Sequence, residues 1–200
     1  MNSEELVTEF LGRGFDYLSN TKALGYLNDS YLVDICGDQD WSFLEDTITG
    51  VAPLTLPEFE TVEYVIDTTE ERKLLPLDRR LLTDKYPTLA ETGTPSFYYL
   101  TEGDVLNVFP TNTIDSLLVR YWKTPAALTG SSTPLLPERF HSLIIDGAIA
   151  RAYEDSDDYE LAENAETKFQ RRLQKMREAL LGPYRDGPDV YVAITDPLGF

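Results

Sequence analysis

The sequence predicts an α+β chain, a mainly α-helical bundle of N-terminal helices and a long C-terminal helical hairpin with an inserted antiparallel β region. Two observations predict it. Apolar residues recur at helical spacing towards both ends of the chain. Between them lies a stretch rich in β-branched and aromatic residues, broken by Pro53, Pro57, Pro76, Pro87, Pro95 and Pro110. On this reading residues 1–46 and 137–182 form the bundle, 47–125 the inserted β region, and 183–200 an extended C-terminal tail.

The first helix starts at Asn2, which can cap it with Glu5 three residues on, and Leu6, Val7, Phe10 and Leu11 mark one face. Gly12 and Gly14 weaken it. A second helix starts near Thr21, with Leu24, Leu27, Tyr31 and Ile35 on one side and Gly37 as a stop. Trp41, Phe43 and Leu44 are large enough to pack against both helices. Val62, Tyr64 and Ile66 alternate as one face of a strand, Leu74 to Leu77 suggest another, and Asp78 caps a turn or two of helix reaching Lys85. Ser96–Leu100 and Val105–Phe109 flank Thr101-Glu102-Gly103-Asp104, a hairpin whose glycine supplies a positive φ. Leu117 to Thr124 follow as an amphipathic strand, with Leu117, Val119 and Tyr121 on one face.

Residues 125–137 are rich in Pro, Gly, Ser and Thr and read as a connection, and Pro137-Glu138 suit a helical first turn. Phe140, Leu143, Ile144, Gly147, Ala148 and Arg151 line the first arm of the hairpin. Asp157 or Asp158 caps the second arm, where Ala162, Ala165, Phe169, Leu173, Met176 and Leu180 keep helical spacing up to Gly182-Pro183. The tail contains a strand-like run from Asp189 to Ile194.

Composition narrows the function. Thirty-five acids against seventeen bases give a formal charge of −18, which opposes tight binding to phosphate backbones but suits the wall of a channel through which DNA slides. Cys36 is the only cysteine, so no intrachain disulfide forms, and it reads as a small core residue. No apolar run reaches the length of a membrane helix, and the opening Met-Asn-Ser-Glu-Glu lacks the pattern of a signal peptide, so a soluble chain made in the cytoplasm is expected.

The search for chemistry yields no cofactor and no metal site. His141 and Cys36 are too few for zinc, and Asp155-Ser156-Asp157-Asp158 lacks the glycine and distant glutamate of a calcium loop, so helix capping is its expected role. His141 and Ser142 point about 100° apart on a helix. They therefore make a poor base and nucleophile, and His141 is expected to pack on Trp122 or Tyr121. A carboxylate-based hydrolase remains as the enzymatic alternative, but no catalytic residue is assigned and a non-enzyme is expected. Towards the end of the hairpin Glu154, Asp155, Asp157, Asp158, Glu160, Glu163 and Glu166 precede Lys168, Arg171, Arg172, Lys175 and Arg177, an order that suits the helix dipole. Its basic end could also meet an acidic neighbour in an oligomer. Gly147, Ala148, Arg151, Arg171, Arg172, Lys175 and Tyr191 are the candidate oligomer or partner contacts.

Three sets of residues in order resemble the head-to-tail connector or adaptor proteins of tailed phages, including the tail-tube adaptors of short-tailed phages. The first is Leu27-Asn28 followed by Trp41-Ser42-Phe43-Leu44. The second is the β part, Pro95 to Leu100, Val105 to Pro110 and Leu118 to Pro125. The third is Leu136-Pro137-Glu138-Arg139-Phe140-His141 with Gly147-Ala148. The resemblance covers most of residues 3–180. It implies a virion protein of the head-tail junction, assembled in the host cytoplasm into a ring, usually twelvefold, below the portal protein. Such a ring extends the DNA channel and docks tail or neck proteins, with duplex DNA passing unbound and no membrane involved. A different neck or tail completion protein is the alternative.

Overall fold

The structure, a computed structural model, describes residues 1–38, 41–111 and 116–181. Asn2 accepts from the Glu5 amide at 2.9 Å while the Glu5 carboxylate accepts from the Asn2 amide, so a capping box opens α1 (Ser3–Phe10). The helix runs on through a wider turn, Leu11–Phe15, that kinks where Gly14 takes φ +104°. Ser19 caps α2 (Asn20–Asp29), which likewise continues through a π-type segment, Ser30–Cys36, and stops at Gly37. Leu27, Tyr31 and Ile35 are buried as their spacing predicts, joined by Ala23.

Among the described residues seven strands follow: β1 (Glu45–Val51), β2 (Leu54–Thr55), β3 (Phe59–Asp67), β4 (Arg72–Pro76), β5 (Phe97–Thr101), β6 (Val105–Phe109) and β7 (Ser116–Lys123). α3 (Arg79–Lys85), capped by Asp78, lies between β4 and β5. The strands form one sheet in the order β1-β7-β3-β4-β5-β6-β2. Its two edge strands, β1 and β2, are joined only by Ala52-Pro53, a link that spans about 10 Å at most. The sheet therefore curls until its edges come near each other at that link, and it is nearly a closed barrel.

This corrects the expectation of a mainly helical bundle with an antiparallel insert: the chain is a mixed α/β fold whose seven-stranded, barrel-like sheet is as much its frame as the helices are. β4 and β5 also pair in parallel, with Leu75 opposite Phe97. The sequence hid this for physical reasons. β1 contains no fully buried residue and so shows no apolar alternation. In β3 an irregularity between Val62 and Tyr64 shifts the register. Val62 and Val65 therefore pack on the same core, and Tyr64 and Ile66 leave the face predicted for them.

Two apolar clusters result. One lies inside the sheet and contains Val65, Leu74, Leu106, Leu117, Val119 and Tyr121. The other lies between α1, α2 with its extension, and the hairpin of α4 (His141–Asp155) and α5 (Tyr159–Leu181). Phe10, Leu27, Trp41, Ile144, Phe169 and Leu173 are among its members. β7 serves both: its Leu117, Val119 and Tyr121 point into the barrel, while Trp122 packs on the helical cluster. A short 3-10 turn, Glu138–Phe140, precedes α4.

Candidate functional site

The α4–α5 hairpin bears most of the contact residues the sequence singles out, and its apolar seam decides where each one points. Phe169, Leu173 and Met176 of α5 close on Ile144, Ala148 and Ala152 of α4. Gly147 and Ala148 are buried in that seam, and a Cβ at Gly147 would collide with Ser30 Oγ and lie 3.0 Å from Phe169 Cε2. The close approach these small residues permit is thus made within the chain, by the α2 extension and α5, rather than by a neighbouring subunit.

Charged groups flank the seam on both sides. On one side Asp146, 2% exposed, receives Lys168 Nζ at 2.9 Å and the Arg172 guanidinium, with Arg13 at 3.6 Å. Arg172 also donates to Ser142 Oγ at 2.6 Å. Arg172 is therefore committed to an internal clasp. On the other side Arg151 grips Asp34 with two hydrogen bonds of 2.7 and 2.5 Å, and that carboxylate holds the guanidinium above its usual pKa range. Arg177 donates to Asp38 at 2.9 Å in the same way one turn further along. Sequence reading missed Asp146 and Asp34 as partners, although each is a lone acid inside an apolar helical run, which is the available signal for a buried, paired charge.

Two of the expected contacts remain outward. Arg171 and Lys175 are exposed and pair with no other side chain among the described residues. Tyr191 lies outside the described residues, as does the strand-like run from Asp189 to Ile194. Beside the Arg151–Asp34 pair, a groove of about 470 Å³ is lined by Glu154, Tyr159, Glu163 and Glu166 together with that pair. Asp34 and Arg151 neutralise each other, so the groove keeps the charge of three glutamates, none of which forms an ion pair with a described residue.

The other chemical candidates resolve into structural roles. His141 is 2% exposed, and its ring nitrogens face the Met1 amino group at 3.0 Å and the Leu136 carbonyl at 2.7 Å. Those neighbours are its polar partners, and the Ser142 hydroxyl serves Arg172 instead of an imidazole base. Asp155 accepts from Lys22 Nζ at 2.7 Å and the Tyr26 hydroxyl at 2.5 Å, which hold its carboxyl below the usual range. Asp157 accepts from the Tyr159 hydroxyl, and Asp158 from the Leu161 amide at the start of α5. The four-residue acidic run thus spreads its carboxylates over separate partners. Among the described residues no group of three acid, His or Cys side chains could hold a metal, and no helix is long and apolar enough to cross a membrane.

The family model described as SU10 adaptor protein aligns with residues 1–191. No curated protein matches the chain.

Proposed function

Because the chain belongs to the SU10 adaptor protein family, whose members are structural adaptors of phage particles, we propose that it is the head-to-tail connector subunit of its virion. In this reading copies of the chain form a ring beneath the portal protein, continue the DNA channel and offer the tail or neck proteins their docking surface. The carrying observation is the family match over nearly the whole chain, helices and sheet together. The physical properties support it. A charge of −18 keeps duplex DNA from sticking to a channel wall. The hairpin side chains best suited to chemistry, His141, Ser142 and Asp155, are occupied by structural partners, which favours a scaffold over a hydrolase.

The test is electron microscopy of lysates from the parent phage with this gene deleted. The connector role requires heads without tails, leaking DNA, beside free tails. Intact, infectious particles would remove the reading.

A further inference from the structure

Resting on the ring reading above, we infer that the acidic groove of the α4–α5 hairpin is the socket for a second copy of this chain. Glu154, Glu163 and Glu166 of one subunit receive Arg171 and Lys175 of the next.

The argument begins with surplus charge. Of the five basic residues on α5, Lys168 and Arg172 are spent on Asp146 and Arg177 on Asp38. Arg171 and Lys175 are exposed and unpaired among the described residues. The groove has the opposite surplus, because Asp34 is consumed by Arg151 and three glutamates are left. Copies of a chain with charge −18 repel one another, so a lasting contact needs local opposite charges that fix the register. Two exposed cations are also too few to hold a duplex, whose binding depends on many neutralised phosphates.

Placement around the helix then decides the symmetry. At about 100° per residue, Glu166 lies roughly 180° from Lys175 and 140° from Arg171 around the α5 axis, and Glu163 roughly 120° from Lys175 and 80° from Arg171. Asp34 and Arg151 flank the seam on the groove side, and the Asp146 clasp flanks it on the other. Socket and plug therefore lie on largely different sides of α5, which disfavours reciprocal pairing across a two-fold axis. A contact of this kind is head-to-tail, and head-to-tail contacts close into rings when their rotation permits. Socket and plug are offset by roughly 8 to 18 Å along the helix, so closure requires hairpins inclined to the ring axis. Tyr159, which lines the groove and is 68% exposed, supplies apolar surface for the incoming helix to cover.

The experiment uses the parent phage with three replacement alleles: Glu163→Lys/Glu166→Lys, Arg171→Glu/Lys175→Glu, and all four changes together. All four residues are exposed, and melting of each purified subunit checks that it folds as the wild type does. Each double exchange should lower the yield of tailed, DNA-filled particles at least about tenfold, and the fourfold exchange should restore most of it. Doubles that assemble like the wild type, or a fourfold variant that folds but assembles no better than they do, would overturn the contact. As an independent reading, carbodiimide treatment of wild-type particles should join Lys175 to Glu163 or Glu166. Within one helix Lys175 and Glu163 are about 18 Å apart, so that product arises only between subunits, and its absence also counts against the socket. The gene-deletion strain separates the two claims. Tailed particles without the gene would sink the ring reading itself, whereas tailless heads together with fully competent doubles would sink only this contact.

Discussion

Cys36 shows how one buried side chain makes stability depend on pH. It sits at the end of the α2 extension beside Tyr31, and burial pushes its thiol from 9.0 up to about 12, with Tyr31 pushed upwards by the same loss of hydration. Below pH 9 the thiol is protonated in both folded and unfolded chains. Above it the unfolded thiol ionises while the folded one keeps its proton, so stability is lost progressively as pH rises towards 12. Melting temperature should therefore fall across that range. Cys36→Ala should melt lower than the wild type at pH 7, because it leaves a small cavity costing about 1 kcal/mol, yet it should fall less steeply with alkali. Parallel curves for the two proteins would show that the thiol carries no share of the alkaline loss. Gly147 makes a complementary point at the same scale. It was a candidate for contact between subunits because glycine and alanine side by side permit close packing, and sequence cannot say whose helix comes close.

At the level of elements, Asn28 pins a loop that composition alone describes as a loose connection. Its side-chain amide donates to the Leu128 carbonyl at 3.1 Å and its oxygen accepts from the Leu128 amide at 2.7 Å, the pairing one strand would offer another. The Tyr31 hydroxyl accepts from the Leu135 amide at 3.1 Å, and Leu128 and Leu136 are both buried in the helical cluster. Asn28→Ala should cost about 1–3 kcal/mol through two lost hydrogen bonds and a loosened Leu128, read as a lower urea midpoint with earlier proteolysis between residues 125 and 137. Asn28→Asp should be no milder, since it sets a carboxylate oxygen against the Leu128 carbonyl. A change within about 0.5 kcal/mol would mean that leucine burial alone holds the loop. Elements with local causes were legible in the sequence: the capping box at Asn2, the turn at Gly103 with φ +78°, the Asp78 cap, and the seam of Phe169, Leu173 and Met176. What was not legible depends on distant partners. The shifted register of β3, the parallel pairing of β4 with β5, and β1 held against β7 despite its polar sequence are set by strands elsewhere in the chain. The same holds for the charged surface. The order of acid before base along α5 could be read, but the internal pairing of Lys168, Arg172 and Arg177 could not, and that pairing decides which cations remain outward.

Over the whole molecule, the sheet and the helices meet at β7, so the two apolar clusters share one strand, and the surface around them has a large excess of negative charge. That excess and the proposed socket act over different distances, and salt separates them. At about 0.01 M salt the screening length is near 30 Å, and like-charged subunits repel before their surfaces touch. Near 0.15 M it falls to about 8 Å, so the general repulsion is muted while charges in direct contact still attract. At about 1 M it is near 3 Å, and partly exposed pairs such as those proposed for Arg171 and Lys175 weaken as well. Assembly of the ring, followed by sedimentation or light scattering at fixed protein concentration with portal protein present, should therefore rise from low to moderate salt and fall again at high salt. Arg171→Glu/Lys175→Glu should remove the maximum and leave a curve that only rises, because screening then relieves repulsion and has no attraction to weaken. A steady rise for the wild type would instead place the holding force in apolar contact, which salt does not loosen, and would remove the charged socket from the assembly.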